Sequence, residues 1–291
     1  MTVLTLEDAL KKIDEQAQII EKQNKQLEKY KLMLSYFEYC IKELSDLHYP
    51  IFPQMIREGD WEPDFLNRAN IAEYGMRNIF GKTFALDEIF FPEECTSNLA
   101  CYDLDQFFAE LVNQINSSLG HKINGEVRFV KKNMENTSAA FNARKFCMII
   151  YNLVANSMLH GKTDNKNIDI ICKSNEKFLE ISVRDHGGGL GDVDMENLFT
   201  FNEIDFNFKD QRMGAFPPQK RGMGLPICAK LASSMDGKFS IKNFRNGVQA
   251  TFVIPVQSSG AKQIIAFVPD NTLFMHFMAP VFRNILLRED N

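Results

Sequence analysis

Leu6, Ile13, Ile20, Leu27, Leu34 and Ile41 recur at intervals of seven, and Ala9, Tyr30, Phe37 and Leu44 take the companion position three residues further on. A straight α-helix drifts out of phase with such a repeat, so an apolar stripe sustained over about six heptads keeps facing one neighbour only if two helices supercoil. Gln16 and Gln23 occupy two of the companion positions, where polar side chains fix register at some cost in stability. The expectation is a parallel coiled coil between two copies of the chain, rather than one long helix packed on its own domain. The helix should continue to about Arg57, loosened at Pro50 and Pro53, which lack backbone donors. "EGDWEP" then reads as a turn, and "DFLNRANIAEYGMRNIF" as a second helix returning along the first. Two helices from each of two chains make a four-helix bundle.

The stretch "FFPEECTSNLACYD" reads as a junction, and a boundary near residue 98 divides a helical dimerisation unit, 1–97, from the second half of the chain. Beyond it the periods alternate. "LDQFFAELVNQINSSL" and "ARKFCMIIYNLVANSMLHG" are apolar at helical spacing, as is "LPICAKLASSMDG" after a long loop. "GEVRFVKK", "NIDIICKS", "FLEISVRDH", "KFSIKNF" and "GVQATFVIPV" have strand character. Helices mixed with a largely antiparallel sheet predict an α+β fold, a two-layer α/β sandwich over 98–257, with 258–291 as an extension.

The 291 residues, 45% of them hydrophobic, suffice for two cores. A net charge of -5 argues against nucleic acid or an anionic membrane as main partner, since either favours a basic face. No apolar run reaches the roughly 18 residues of a membrane span, and the N-terminus lacks a signal-peptide pattern, so a cytoplasmic protein is expected. The six scattered cysteines form no Cys-x-x-Cys pair and read as reduced, mostly buried thiols.

Three clusters in the second half carry chemistry. "NLVANSMLHG" sets Asn152 and Asn156 four residues apart on one helical face. An asparagine oxygen is a neutral hard ligand suited to Mg²⁺, although two such residues on a helix also serve as solvent-facing or capping groups. "VRDHGGGLGD" places Asp185 at the end of an apolar strand, followed by Gly187, Gly188, Gly189 and Gly191. A carboxylate accepts from an exocyclic amine and glycines let backbone approach a ligand, while a plain turn between strands is the alternative. "KRGMGLPICAKL" sets Gly222 and Gly224 at a helix start, whose free N–H groups favour phosphate.

In this order and with these gaps, the clusters resemble the ATP-binding domain of the histidine kinase, gyrase, MutL and heat-shock-chaperone ATPase superfamily over roughly residues 100–256. The asparagine box, a first glycine box (Asp185, Gly187, Gly189) and a second (Gly222, Gly224, Leu225) all match. "LFTF", with Phe199 and Phe201, lies where histidine kinases carry a phenylalanine box. The upstream two-helix unit and the opening "YDLDQFFAELV" resemble histidine kinases in particular. The resemblance implies ATP and Mg²⁺ as cofactors, with Asn156 as the metal ligand, Asn152 beside the phosphates and Asp185 reading adenine. It makes the loop from about Leu190 to Arg221 a lid. Lys220 and Arg221, beside the second glycine box, either neutralise phosphate or are ordinary solvated lid charges. Leu159 departs from the pattern, standing where the family usually has lysine.

The family's acceptor motif runs roughly H-E-L-R-T-P-L, and "SDLHYPI" superposes on it with Ser45 in the histidine position, Asp46 on the acid and Pro50 on the proline. His48 falls on the arginine position. Seven residues on from Ile41, it is also a seam position facing the bundle core, whereas Ser45 lies on the flank. An imidazole that attacks a γ-phosphate on another domain needs exposure and in-line geometry, so His48 reads as a packed residue. His121, His160, His186 and His276 show no metal-ligand spacing and read as structural or surface groups, although His160 and His186 adjoin the ATP motifs. "AKQIIAFVPDNTLFMHFMAPVFRNIL" resembles the first strand and helix of a receiver domain, with Asp270 near the acidic cluster, but is too short to be one. It is either the stump of a longer hybrid kinase or an accessory strand and helix packed on the catalytic domain.

The resulting expectation is a homodimeric, Mg-ATP-binding, histidine-kinase-like protein of a two-component or phosphorelay pathway. Lacking the usual acceptor in cis, it would work with a response regulator, a partner kinase or a phosphotransfer protein, or act as an ATP-responsive regulator. The alternatives are a conventional kinase autophosphorylated on His48, a serine kinase using Ser45 with Asp46 as base, and a non-catalytic dimeric scaffold.

Overall fold

A computed structural model describes residues 11–24, 27, 77, 80, 81, 83, 85, 99–119, 124–161, 166–191, 224–256 and 263–289. Ser45, Asp46, His48, His121, Phe199, Phe201, Lys220, Arg221 and Gly222 lie outside the described residues, as do most of the expected hairpin and lid. Residues 11–24 are helical, and the heptad positions Ile13 and Ile20 are 60% and 56% exposed in the single chain. No described helix is long and apolar enough to cross a membrane.

From Leu99 onward the elements run β1 (Leu99–Asp103), α1 (Leu104–Leu119), β2 (Val127–Met134), β3 (Ser138–Asn142), α2 (Ala143–His160), β4 (Ile168–Ser174) and β5 (Phe178–Arg184). They continue with α3 (Gly224–Ser233), β6 (Lys238–Phe244), β7 (Gly247–Pro255), β8 (Ile264–Ile265) and α4 (Asn271–Glu289). The strands form a five-stranded sheet of order β2-β4-β5-β7-β6 and a three-stranded sheet of order β3-β1-β8. In the larger sheet β2 lies parallel to β4 and every other pair is antiparallel. Ile170, Val183 and Ala250 stand opposite one another across it, as do Cys172, Ile181 and Phe252, and these rows make the buried face. Helices cover that face, which is the expected α+β sandwich.

Two strand-to-helix junctions need no connecting loop, because a polar side chain caps each helix. Asp103 accepts from the Gln106 N–H at 2.8 Å at the start of α1, and Asn142 accepts from the Lys145 N–H at 3.0 Å at the start of α2. α1 is amphipathic and buries Leu104, Phe107, Phe108, Leu111, Ile115 and Leu119. α2 is buried almost all round, because α3 and α4 both pack on it.

Residues 263–289 are built into this core. β8 pairs parallel with β1 through Cys101↔Ile264 and Tyr102↔Ile265. The Phe267 ring lies 4.0 Å from Phe107, and Phe274 on α4 meets Tyr151 of α2 edge to face at 5.3 Å. The strand and helix of this segment therefore pack directly on the domain.

Candidate functional site

The asparagine-box helix, the end of β5 and the start of α3 converge on a cavity of about 590 Å³. Its walls include Asn156, Ser157 and His160 from α2, Asp185, Gly187 and Gly189 after β5, and Gly224 and Leu225 from α3. Leu153, Val183, Ile241, Val248 and Ala250 supply an apolar floor. A volume of this size, apolar with a few convergent polar groups, is that of a small-molecule site.

Asp185 is the most constrained polar group there. Its Oδ1 accepts from the Gly187 N–H at 2.9 Å and the Val248 N–H at 3.1 Å, and its Oδ2 accepts from the Ser157 hydroxyl at 3.2 Å. Its backbone N–H also donates to the Val248 carbonyl at 3.0 Å. Three donors from three elements therefore aim one carboxylate, with Oδ2 on the side of Ser157. Gly187 is needed by packing: a Cβ there would come within 2.6 Å of the Gly161 Cα at the end of α2. The loop after it is pinned by the Leu190 N–H, which donates to Asn243 Oδ1 at 2.8 Å.

The two asparagines of α2 play different parts. Asn156 borders the cavity. Asn152 lies behind the start of α3, where its amide donates to the Gly224 carbonyl at 2.7 Å and to Cys228 Sγ at 3.4 Å. Burial pushes the Cys228 thiol up to about 12, opposed by this bond from Asn152, so the group tying the two helices is a neutral thiol. A Cβ on Gly224 would come within 2.7 Å of Asn152 Oδ1 and 3.2 Å of Asn156 Nδ2, so a larger residue there would displace the two asparagine amides.

These residues suit a nucleotide with its metal in one specific respect. A neutral amide on one wall faces a space shared with a fixed carboxylate and a helix start, and Mg²⁺ characteristically takes few protein ligands alongside substrate phosphates. Of the expected site residues, Asn156, Asp185, Gly187, Gly189, Gly224 and Leu225 border one cavity and Asn152 buttresses it. Leu159 also lines the cavity, so a side chain without charge stands where the family's lysine would be.

Sequence reasoning missed Ser157, Val248 and Asn243. Ser157 comes directly after Asn156, and its neighbour was the only available signal. Val248 acts through its backbone N–H, which leaves no mark on a sequence.

His186 Nε2 lies 3.8 Å from Asp169 Oδ2 on the neighbouring strand, a surface position as expected. His160 borders the cavity at the end of α2. His276 is 8% exposed on α4, far from these motifs in sequence.

No curated protein sequence matches the chain. Among solved structures, Acinetobacter baumannii histidine kinase AdeS is similar at 12% identity and TM-score 0.51, over 76% of this chain and 98% of that one. Histidine kinase ThkA in its complex with response regulator protein TrrA is similar at 18% identity and TM-score 0.52, over 82% and 66% respectively. Full-length ShkA in complex with AMPPNP is similar at 14% and 0.51, over 81% and 47%. At these identities the likeness is one of fold. The sequence of residues 142–258 matches the family described as histidine kinase-, DNA gyrase B- and HSP90-like ATPase. That segment, from the cap of α2 to just past β7, is a domain of this ATPase family.

Proposed function

We propose that this chain is an ATP-binding, histidine-kinase-like signalling protein that dimerises through its N-terminal helices and carries Ser45 where such kinases carry the acceptor histidine. The observation that carries the reading is the Asp185 carboxylate, aimed by three donors into the cavity that Asn156 borders. In this reading Asp185 would accept from the adenine amine, and Asn156 would hold the metal beside the phosphates. Lys220 and Arg221, beside Gly222, neutralise phosphate charge. Bound Mg²⁺ supplies charge neutralisation at the transferring phosphate, and the chain's own residues supply orientation.

With serine at position 45, phosphate passes to a histidine on a partner protein, or nucleotide occupancy itself is the signal. ThkA, a fold relative, is known in complex with a response regulator, and a response regulator is the proposed partner class here. The exposed heptad positions Ile13 and Ile20 fit a second copy of this chain.

Incubation with labelled ATP tests the reading. Wild-type protein should bind nucleotide and acquire no acid-labile label, while Ser45→His, beside Asp46, should gain it. Acid-labile label on wild type that disappears in His48→Ala would make this a conventional kinase. Acid-stable label lost in Ser45→Ala would make it a serine kinase. Absence of any ATP or ADP binding at millimolar concentration would make the nucleotide-binding assignment wrong.

A further inference from the structure

The ATPase-family match ends at residue 258, and the segment beyond it meets the domain across a second cavity, of about 380 Å³. Tyr102, Arg144 and Cys147 line it from the domain, and Phe267, Asp270 and Leu273 line it from the extension. It sits at the start of α2, whereas Asn156 sits near that helix's other end.

The floor is apolar. Phe267 is 8% exposed and Leu273 2%, and burial pushes the Cys147 thiol well up, so it stays neutral. Among the described residues that line it, Arg144 and Asp270 bring one charge of each sign. Arg144 is exposed on the first turn of α2. Asp270 caps α4, accepting from the Leu273 N–H at 3.0 Å through one carboxylate oxygen. A simple anion here would meet the Asp270 carboxylate, and a simple cation would meet the Arg144 guanidinium. A molecule with both charges on neighbouring atoms satisfies both, and a guanidinium with five donors takes a carboxylate while keeping other contacts.

We propose that this cavity binds a small zwitterion with an apolar body, of the α-amino-acid class. Its carboxylate lies on Arg144, its ammonium on Asp270 and its side chain against Phe267 and Leu273. The volume falls in the range of small-ligand pockets. Because the walls come from both segments, the ligand clamps the extension onto α2. The proposal is independent of what the larger cavity binds.

Calorimetry and thermal unfolding of the full chain test it, with leucine and phenylalanine as probes and with isocaproate and isoamylamine as the single-charge counterparts of leucine. At least one amino acid should bind at millimolar concentration or below and raise the melting temperature, and neither counterpart should match it. Asp270→Asn preserves the cap, since asparagine caps as well as aspartate. It should weaken binding by about tenfold or more, as should Arg144→Gln. The proposal fails if neither amino acid binds at millimolar concentration or if isocaproate or isoamylamine binds equally well. It also fails if both variants bind like wild type.

Discussion

The two long sides of α2 put the same helix to different uses. On one side Asn152, Asn156 and Ser157 make specific polar contacts or border the cavity: Asn152 holds Gly224 and Cys228, and Ser157 holds Asp185. Cys147 and Tyr151 belong to the hydrophobic core, and the Tyr151 ring packs on Phe274 of the extension. Burial raises the pKa of the Tyr151 hydroxyl, which donates to Gln114 at 2.5 Å and so remains a neutral polar group within the core. The first side tolerates little change of chemistry and the second little change of volume. A helix buried almost all round separates these demands by residue, and each can be tested without the other.

The largest effect should come from the packed side. Phe274→Ala removes a ring that is 1% exposed, and loss of a buried phenylalanine costs about 3 to 5 kcal/mol. Denaturant unfolding should register that loss, while any protein still folded binds ATP normally. An intact midpoint would mean that α4 only rests on α2. On the cavity side, Asp185→Asn replaces an acceptor by a group that also donates. With hydrogen bonds to charged groups contributing about 1.5 to 3 kcal/mol, nucleotide affinity should fall roughly 10- to 100-fold in calorimetry. Asn156→Ala should lose about tenfold, and only in the presence of Mg²⁺, so equal losses with and without the metal would remove Asn156 from the role of ligand.

The smallest effect concerns His276 on α4. Burial lowers its pKa first, then the Arg77 and Arg144 guanidinium groups, against an opposing pull from Asp270. A histidine whose folded pKa is depressed takes up its proton more readily unfolded, so its contribution to stability is complete above the unfolded value of about 6.5 and is lost as pH falls below it. Thermal unfolding should therefore show a decline between neutral and mildly acidic pH that is shallower in His276→Gln. Identical slopes would place the acid sensitivity elsewhere.

How legible each element is in the sequence depends on the physics that forms it. β4, β5 and β7 announce themselves by apolar, β-branched content, and α1 and α2 by helical spacing, because burial against a sheet demands those patterns. β1, "LACYD", and β3, "SAAFN", do not, since five residues of mixed character carry too little period to separate a strand from a junction. They become strands by pairing with each other in register from Leu99↔Asn142 to Asp103↔Ser138, which is tertiary information. The same holds at the site. Asn156, Asp185 and Gly224 stand out through the order of their motifs, while the N–H of Val248 that aims Asp185 belongs to a residue otherwise indistinguishable within β7.

The pairing of Phe267 with Phe107 and of Phe274 with Tyr151 also bears on how the chain is made. During synthesis the helix that carries Asn156 emerges more than a hundred residues before the one that covers its back. Until residues near Phe282 have left the ribosome, Cys147, Tyr151 and Phe107 lack the neighbours they have in the finished core. A translating ribosome thus holds an ATPase domain whose family-matched segment is fully synthesised but whose apolar surface is still open, a state that favours chaperone capture or premature association.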